Sequence, residues 1–127
     1  MIKKSYNAAN APEAVGPYVH AVEASGLVFT SGQLGLDPET GNLKEGIEGQ
    51  TVQALKNIGE VLKASGCKTE DVIKTTIFMT EIKDFGKVNE IYARFFKDNP
   101  PARSCVGVKE LPKGALIEIE TVALKIK

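Results

Sequence analysis

Histidine and cysteine are nearly missing from this chain, and each scarcity removes a class of chemistry. One histidine (His20) and two cysteines far apart in the sequence (Cys67, Cys105) offer no cluster with metal-ligand number or spacing. No metal site is therefore predicted. Two cysteines are also too few for a disulfide framework, which predicts free thiols in a reducing, cytoplasmic setting. No apolar run follows Lys3 and Lys4, so no secretory leader is expected. No segment carries enough consecutive apolar residues to span a bilayer. Excess charge is missing too: Lys+Arg and Asp+Glu both number 16. A balanced chain gains little from counterion release or an anionic surface, which argues against nucleic-acid or membrane partners. Ser31-Gly32-Gln33-Leu34-Gly35 fits neither a dinucleotide fingerprint nor a phosphate loop, and there is no Gly-x-Ser-x-Gly elbow.

What remains is an ordinary globular composition. The 127 residues, 43% hydrophobic and 25% charged, fit a single domain over 1–127. Residues 18–24 and 27–31 read as two strands joined by the Ser25-Gly26 turn. A Gly-, Asp- and Thr-rich loop fills 32–49. Val52, Leu55, Ile58, Val61 and Leu62 then mark the apolar stripe of a first helix, with Gly66 as its stop. Residues 71–80 are dense in β-branched side chains and read as a central strand. Asp84 is the expected N-cap of a second helix, whose stripe is Phe85, Val88, Ile91, Tyr92 and Phe95. A strand follows Pro100-Pro101, and a last one covers 116–125. The order β-β-α-β-α-β-β predicts an α+β sandwich, a mixed sheet with two helices on one face. The last strand is unusual because its second face mixes Glu118 and Glu120 with Leu116, Val122 and Leu124. A face of that composition calls for cover that the chain itself does not supply, which predicts an oligomer.

Arg103 stands first among the residues that could carry chemistry. It opens the strand after the two prolines, with Cys105 two positions on and facing the same way. A guanidinium is shaped to hold a carboxylate through two parallel hydrogen bonds, so a small organic acid is the ligand this position suggests. A solvated arginine at a strand end is the alternative that this segment leaves open. Glu118 and Glu120, about 7 Å apart on one strand face, could hold a water and pair with a lysine, or lie exposed. Cys105 reads as a buried, inert thiol for want of a histidine partner. Ser31 and Gly32 could offer a hydroxyl and an approachable backbone N–H to an anion. Asn89, a poor helix former within a helix, suggests a side-chain hydrogen bond. Tyr18 follows Gly16-Pro17, a rigid turn that would aim its ring.

Gly16-Pro17-Tyr18, Thr30-Ser31-Gly32-Gln33, Asn57-Ile58, Val88-Asn89-Glu90-Ile91-Tyr92, Pro101-Ala102-Arg103-Ser104, Leu111-Pro112 and Ile117-Glu118-Ile119-Glu120 occur in this order. Together they closely resemble the RidA (YjgF-type) family of enamine/imine deaminases. The resemblance implies a chorismate-mutase-like fold, assembled as a homotrimer around a central β-barrel with clefts between subunits. It implies hydrolysis of 2-enamino and 2-imino acids (2-aminoacrylate, 2-iminopropanoate, 2-iminobutanoate) to 2-oxo acids and ammonia, without a cofactor, which protects pyridoxal-phosphate enzymes. By position, Arg103 would clamp the substrate carboxylate and Glu118 would hold and activate water, with Glu120 the lesser of the two glutamates. Tyr18 would line the cleft from the adjacent subunit, and Ser31, Gly32, Asn89 and Cys105 would complete the pocket. Val19-His20 departs from the Ser-Gln common in the family. The rival readings are a non-catalytic 2-oxo acid binder and a ribonuclease or translation inhibitor, the latter disfavoured by the neutral charge and the lack of an aromatic stacking platform.

Overall fold

Ser25 and Gly26 both take positive φ (53° and 80°), the backbone of the two-residue turn that best matches strand twist. They join β2 (Ala21–Ala24) to β3 (Leu27–Thr30) with Ala24 opposite Leu27. The computed structural model describes residues 2–125, and the other elements are β1 (Lys4–Tyr6), β4 (Gln33–Leu34), α1 (Gly46–Ala64), β5 (Val72–Met79), α2 (Phe85–Phe95), β6 (Ala102–Gly107) and β7 (Ile117–Leu124). The sheet runs β1-β2-β3-β7-β5-β6, with β4 also paired to β7. Only the β5–β6 pair, bridged by α2, is parallel among the described residues. The predicted α+β architecture, a mixed sheet with two helices, is therefore the observed one. Two strands were not anticipated, and the first hairpin strand begins at Ala21, three residues later than expected.

The core lies between the helices and one face of β7. Ile117, Ile119, Thr121 and Ala123 are buried there, under Ala54, Leu55, Ile58, Val61 and Leu62 of α1 and Val88, Ile91 and Tyr92 of α2. Each fully buried aliphatic side chain contributes about 1.5–3 kcal/mol through removal from water. Val52, assigned to the stripe from its spacing, is instead exposed. α1 ends as Gly66 predicts: at φ 83° it donates its N–H to Lys63 O, while Cys67 N–H reaches Leu62 O. Asp84 makes no side-chain cap; a 3-10 turn over Ile82–Asp84 leads straight into α2, and its backbone bonds do that work.

The other sheet face stays open. Phe29, Val106 and Leu124 are exposed on it, and Val122, paired with Phe29, is half-buried. No helix among the described residues is long and apolar enough to cross a membrane.

Candidate active site

β6 is an edge strand with β5 as its only neighbour among the described residues. Arg103 lies opposite Thr75, and Thr75 opposite Thr121, a buried residue of the helix-covered face. Arg103 is therefore on the side of α2. Its guanidinium carbon sits 4.7 Å from the Tyr92 ring centroid and 5.1 Å from that of Phe85. No carboxylate among the described residues pairs with it, and no acceptor takes its N–H groups. A half-buried guanidinium with unused donors is arranged to receive an anion.

Cys105 faces the same side, as its spacing from Arg103 predicts, and is half-buried, its thiol donating to Met79 Sδ at 3.7 Å. Burial pushes the thiol pKa up, against a smaller opposing pull from Arg103, so it stays protonated and a poor nucleophile. Asn89 lies on α2 between Phe85 and Tyr92 at helical spacing, so the three share one face. Its Oδ1 is buried and has no hydrogen-bond partner. The side-chain bond expected of Asn89 is thus not made by this atom.

The remaining candidates lie elsewhere. Glu118 pairs across the sheet with Phe78 and Leu34, on the face opposite Arg103. It lines a cleft of about 250 Å³ with Tyr18, Gly32, Pro12, Val15 and Lys113. Gly32 fits because it lacks a side chain: a Cβ there would fall 2.6 Å from Glu118 Oε2. Burial, then the neighbouring Glu120 charge, raises the Glu118 pKa. Glu120 itself is exposed. Tyr18 is half exposed at the cleft mouth, held by a bond from its N–H to Gly16 O. Ser31 does not line this cleft; its hydroxyl donates to Val19 O at 2.7 Å and its N–H to His20 O, tying the Tyr18 segment to the end of β3.

The chain therefore gathers Tyr18, Gly32 and Glu118 in one place, and Arg103, Cys105 and Asn89 in another, on opposite sides of the sheet. Sequence reasoning missed the rings beneath Arg103 as site residues, although their spacing around Asn89 pointed to a shared face. It also missed Lys113, held at φ 61° in the turn beside Glu118. A larger groove of about 540 Å³ runs between the helices, lined by Val52 and Ile91 and by the charged Lys44, Glu48, Lys56, Glu90 and Arg94; it contains none of the candidate residues. Among the described residues no group of three or more potential ligands is placed to hold a metal.

A family model described as endoribonuclease L-PSP matches residues 8–125, nearly the whole chain and both clusters. The chain belongs to this family, the RidA (YjgF-type) family. Among RidA-family relatives, the human 2-iminobutanoate/2-iminopropanoate deaminase is 48% identical, over 98% of this chain and 92% of that protein. The enzyme of the same name from Salmonella typhimurium is 42% identical, over 98% and 99%. Escherichia coli TdcF, solved with bound serine, superposes with a TM-score of 0.93 at 39% identity, over 97% of this chain and 99% of that one.

Proposed function

We propose that this RidA-family chain is a hydrolase that converts small 2-imino and 2-enamino acids, such as 2-iminopropanoate and 2-iminobutanoate, to 2-oxo acids and ammonia. The observation that carries the reading is Arg103, half-buried over two rings with no anionic partner of its own. Relatives named as deaminases at 42–48% identity support the reaction type. TdcF with bound serine, a small amino acid, supports a ligand carrying a carboxylate and a nitrogen on the same carbon.

Arg103 holds the carboxylate through its N–H edge, and Cys105 and Asn89 shape the space beside it. The protonated imine carbon is electrophilic without a Lewis acid, so the protein's task is to place substrate and water. Glu118, its pKa raised by burial, accepts a proton from water as the oxygen bonds to that carbon. Glu118 returns that proton to the carbinolamine nitrogen; as the C–N bond breaks and ammonia leaves, the carbinolamine hydroxyl gives its proton to the Glu118 carboxylate, which leaves a C=O behind, and Glu118 passes the proton on to solvent. Tyr18 and Gly32 line the water's side, with Ser31 holding the Tyr18 segment behind them.

Arg103 and Glu118 point to opposite sides of their own sheet, so the site is completed by a second subunit. A homotrimer packing the open face around Phe29, Val122 and Leu124 into a central barrel accounts for both facts. Two free cysteines suit a reducing cytoplasm.

The deciding assay times 2-oxo acid formation from imine released by a serine or threonine dehydratase. Added protein should accelerate it, and Arg103→Ala should reduce kcat/KM about 10- to 100-fold, the value of a charge-assisted bidentate contact. No acceleration would leave only a binder of 2-oxo acids, and an Arg103→Ala variant as fast as an accelerating parent would remove Arg103 as the clamp.

A further inference from the structure

Arginine has a long side chain whose rotamer freedom must be given up whenever it grips a ligand. On an edge strand, with a neighbour on one side only, Arg103 has little backbone context to hold it. Yet its guanidinium lies over two rings, and those rings are themselves fixed. Tyr92 is 6% exposed; its hydroxyl lies 2.7 Å from Thr75 Oγ1, and Thr75 is the residue opposite Arg103 in the β5–β6 ladder. Phe96 packs against the Tyr92 ring, at 4.7 Å between centroids. Phe85, at the start of α2, is half-buried and adds the second ring at 5.1 Å.

We propose that Phe85 and Tyr92 are positioning residues that hold the Arg103 guanidinium ready for a carboxylate ligand. This rests on the reading of Arg103 as the carboxylate clamp. A guanidinium presents its flat face to a ring and its N–H edge to a carboxylate, so the two contacts do not compete. The rings also fill the space beside the guanidinium with groups that accept no strong hydrogen bond, which keeps its donors unspent until the ligand arrives. The affinity gained is that of pre-organisation: the ordering cost is met in the folded protein and not at binding.

The test uses pyruvate, a product-like 2-oxo acid, as the probe, with binding measured by calorimetry on the full-length assembly. Arg103→Ala should abolish the heat of binding. Phe85→Leu, an apolar replacement at a half-buried position, should raise Kd about 5- to 30-fold, the worth of a partly desolvated cation–ring contact. Phe85→Tyr should restore Kd to within about twofold, since the ring returns. Tyr92→Phe keeps the ring and loses only the Thr75 bond, so it should fall between the parent and Phe85→Leu. Parental affinity in Phe85→Leu, or a Phe85→Tyr variant as weak as Phe85→Leu, would overturn the positioning role while leaving Arg103 as the clamp. Parental affinity in Arg103→Ala would instead overturn the reading on which the proposal rests.

Discussion

Glu118 shows how a single side chain acquires its chemistry from its surroundings. It has the pocket wall on one side and the Glu120 charge two residues along the strand on the other, and both disfavour its ionised form. As the proposed base it works only when deprotonated. A raised pKa therefore means that activity fades at a higher pH, on acidification, than an ordinary carboxylate would impose. The acid limb of kcat/KM, which reports the free enzyme, should lie above the usual carboxylate range. Glu120→Gln removes the like charge and should shift that limb toward lower pH without abolishing turnover. The limb remaining in place in Glu120→Gln would disprove the coupling, and its disappearance in Glu118→Gln is the matching control. The identity of these residues was legible in the sequence, through the face alternation of the last strand. Their inequality was indicated by the family resemblance and not by the alternation: burial of Glu118 and exposure of Glu120 depend on Gly32 and the Pro112 turn folding over one and not the other.

At the scale of elements, the long helices and the hairpin were readable because periodicity and turn chemistry repeat over many residues. The unread strands are short. β4 has two residues, Gln33 and Leu34, inside a stretch whose composition says loop, and a pattern of period two has no meaning over two positions. What holds β4 and the segment after it is a polar ladder on α1. Asn57 Nδ2 donates to Leu34 O at 3.1 Å and Leu36 O at 2.9 Å, and Gln53 Nε2 donates to Asn57 Oδ1 at 2.9 Å. Gln50 bridges Lys44 O and Leu116 N–H, linking the loop before α1 to the start of β7. Gly35 permits this closeness, since a Cβ there would sit 2.5 Å from Gln50 Cα. These amides are buried on a helix otherwise read for its apolar stripe, and that reading passed over them. Asn57 is 1% exposed. Asn57→Ala should cost about 3 kcal/mol in urea unfolding, because two carbonyls and an amide lose their partner in the interior. The expected signature is a lower midpoint with an unchanged slope. A loss under about 1 kcal/mol would mean that water replaces the amide at no net cost, and that the ladder does not pin β4.

The molecule as a whole is where sequence and single-chain structure meet their common boundary. The mixed face of the last strand indicated a missing layer before any fold was known, and Phe29, Val106 and Leu124 lie uncovered on that face. The same geometry puts Arg103 and Glu118 on opposite sides of one sheet, which periodicity did not predict because it says nothing about where a second chain sits. A site built from both must draw one from each of two subunits, and mixing tests this directly. Arg103→Ala and Glu118→Gln homo-oligomers should each be nearly inactive. Unfolded together in equal amounts and refolded, they should form mixed trimers in which about a quarter of the interfaces join an intact Arg103 to an intact Glu118, by random assembly around a closed ring. Activity should rise to about that fraction of the parent's, whereas mixing without refolding should give none. Sedimentation should report a mass three times the 13.6 kDa chain in every sample. A monomer mass, or refolded mixtures that stay as inactive as their parents, would remove the shared site and return Arg103 and Glu118 to separate roles.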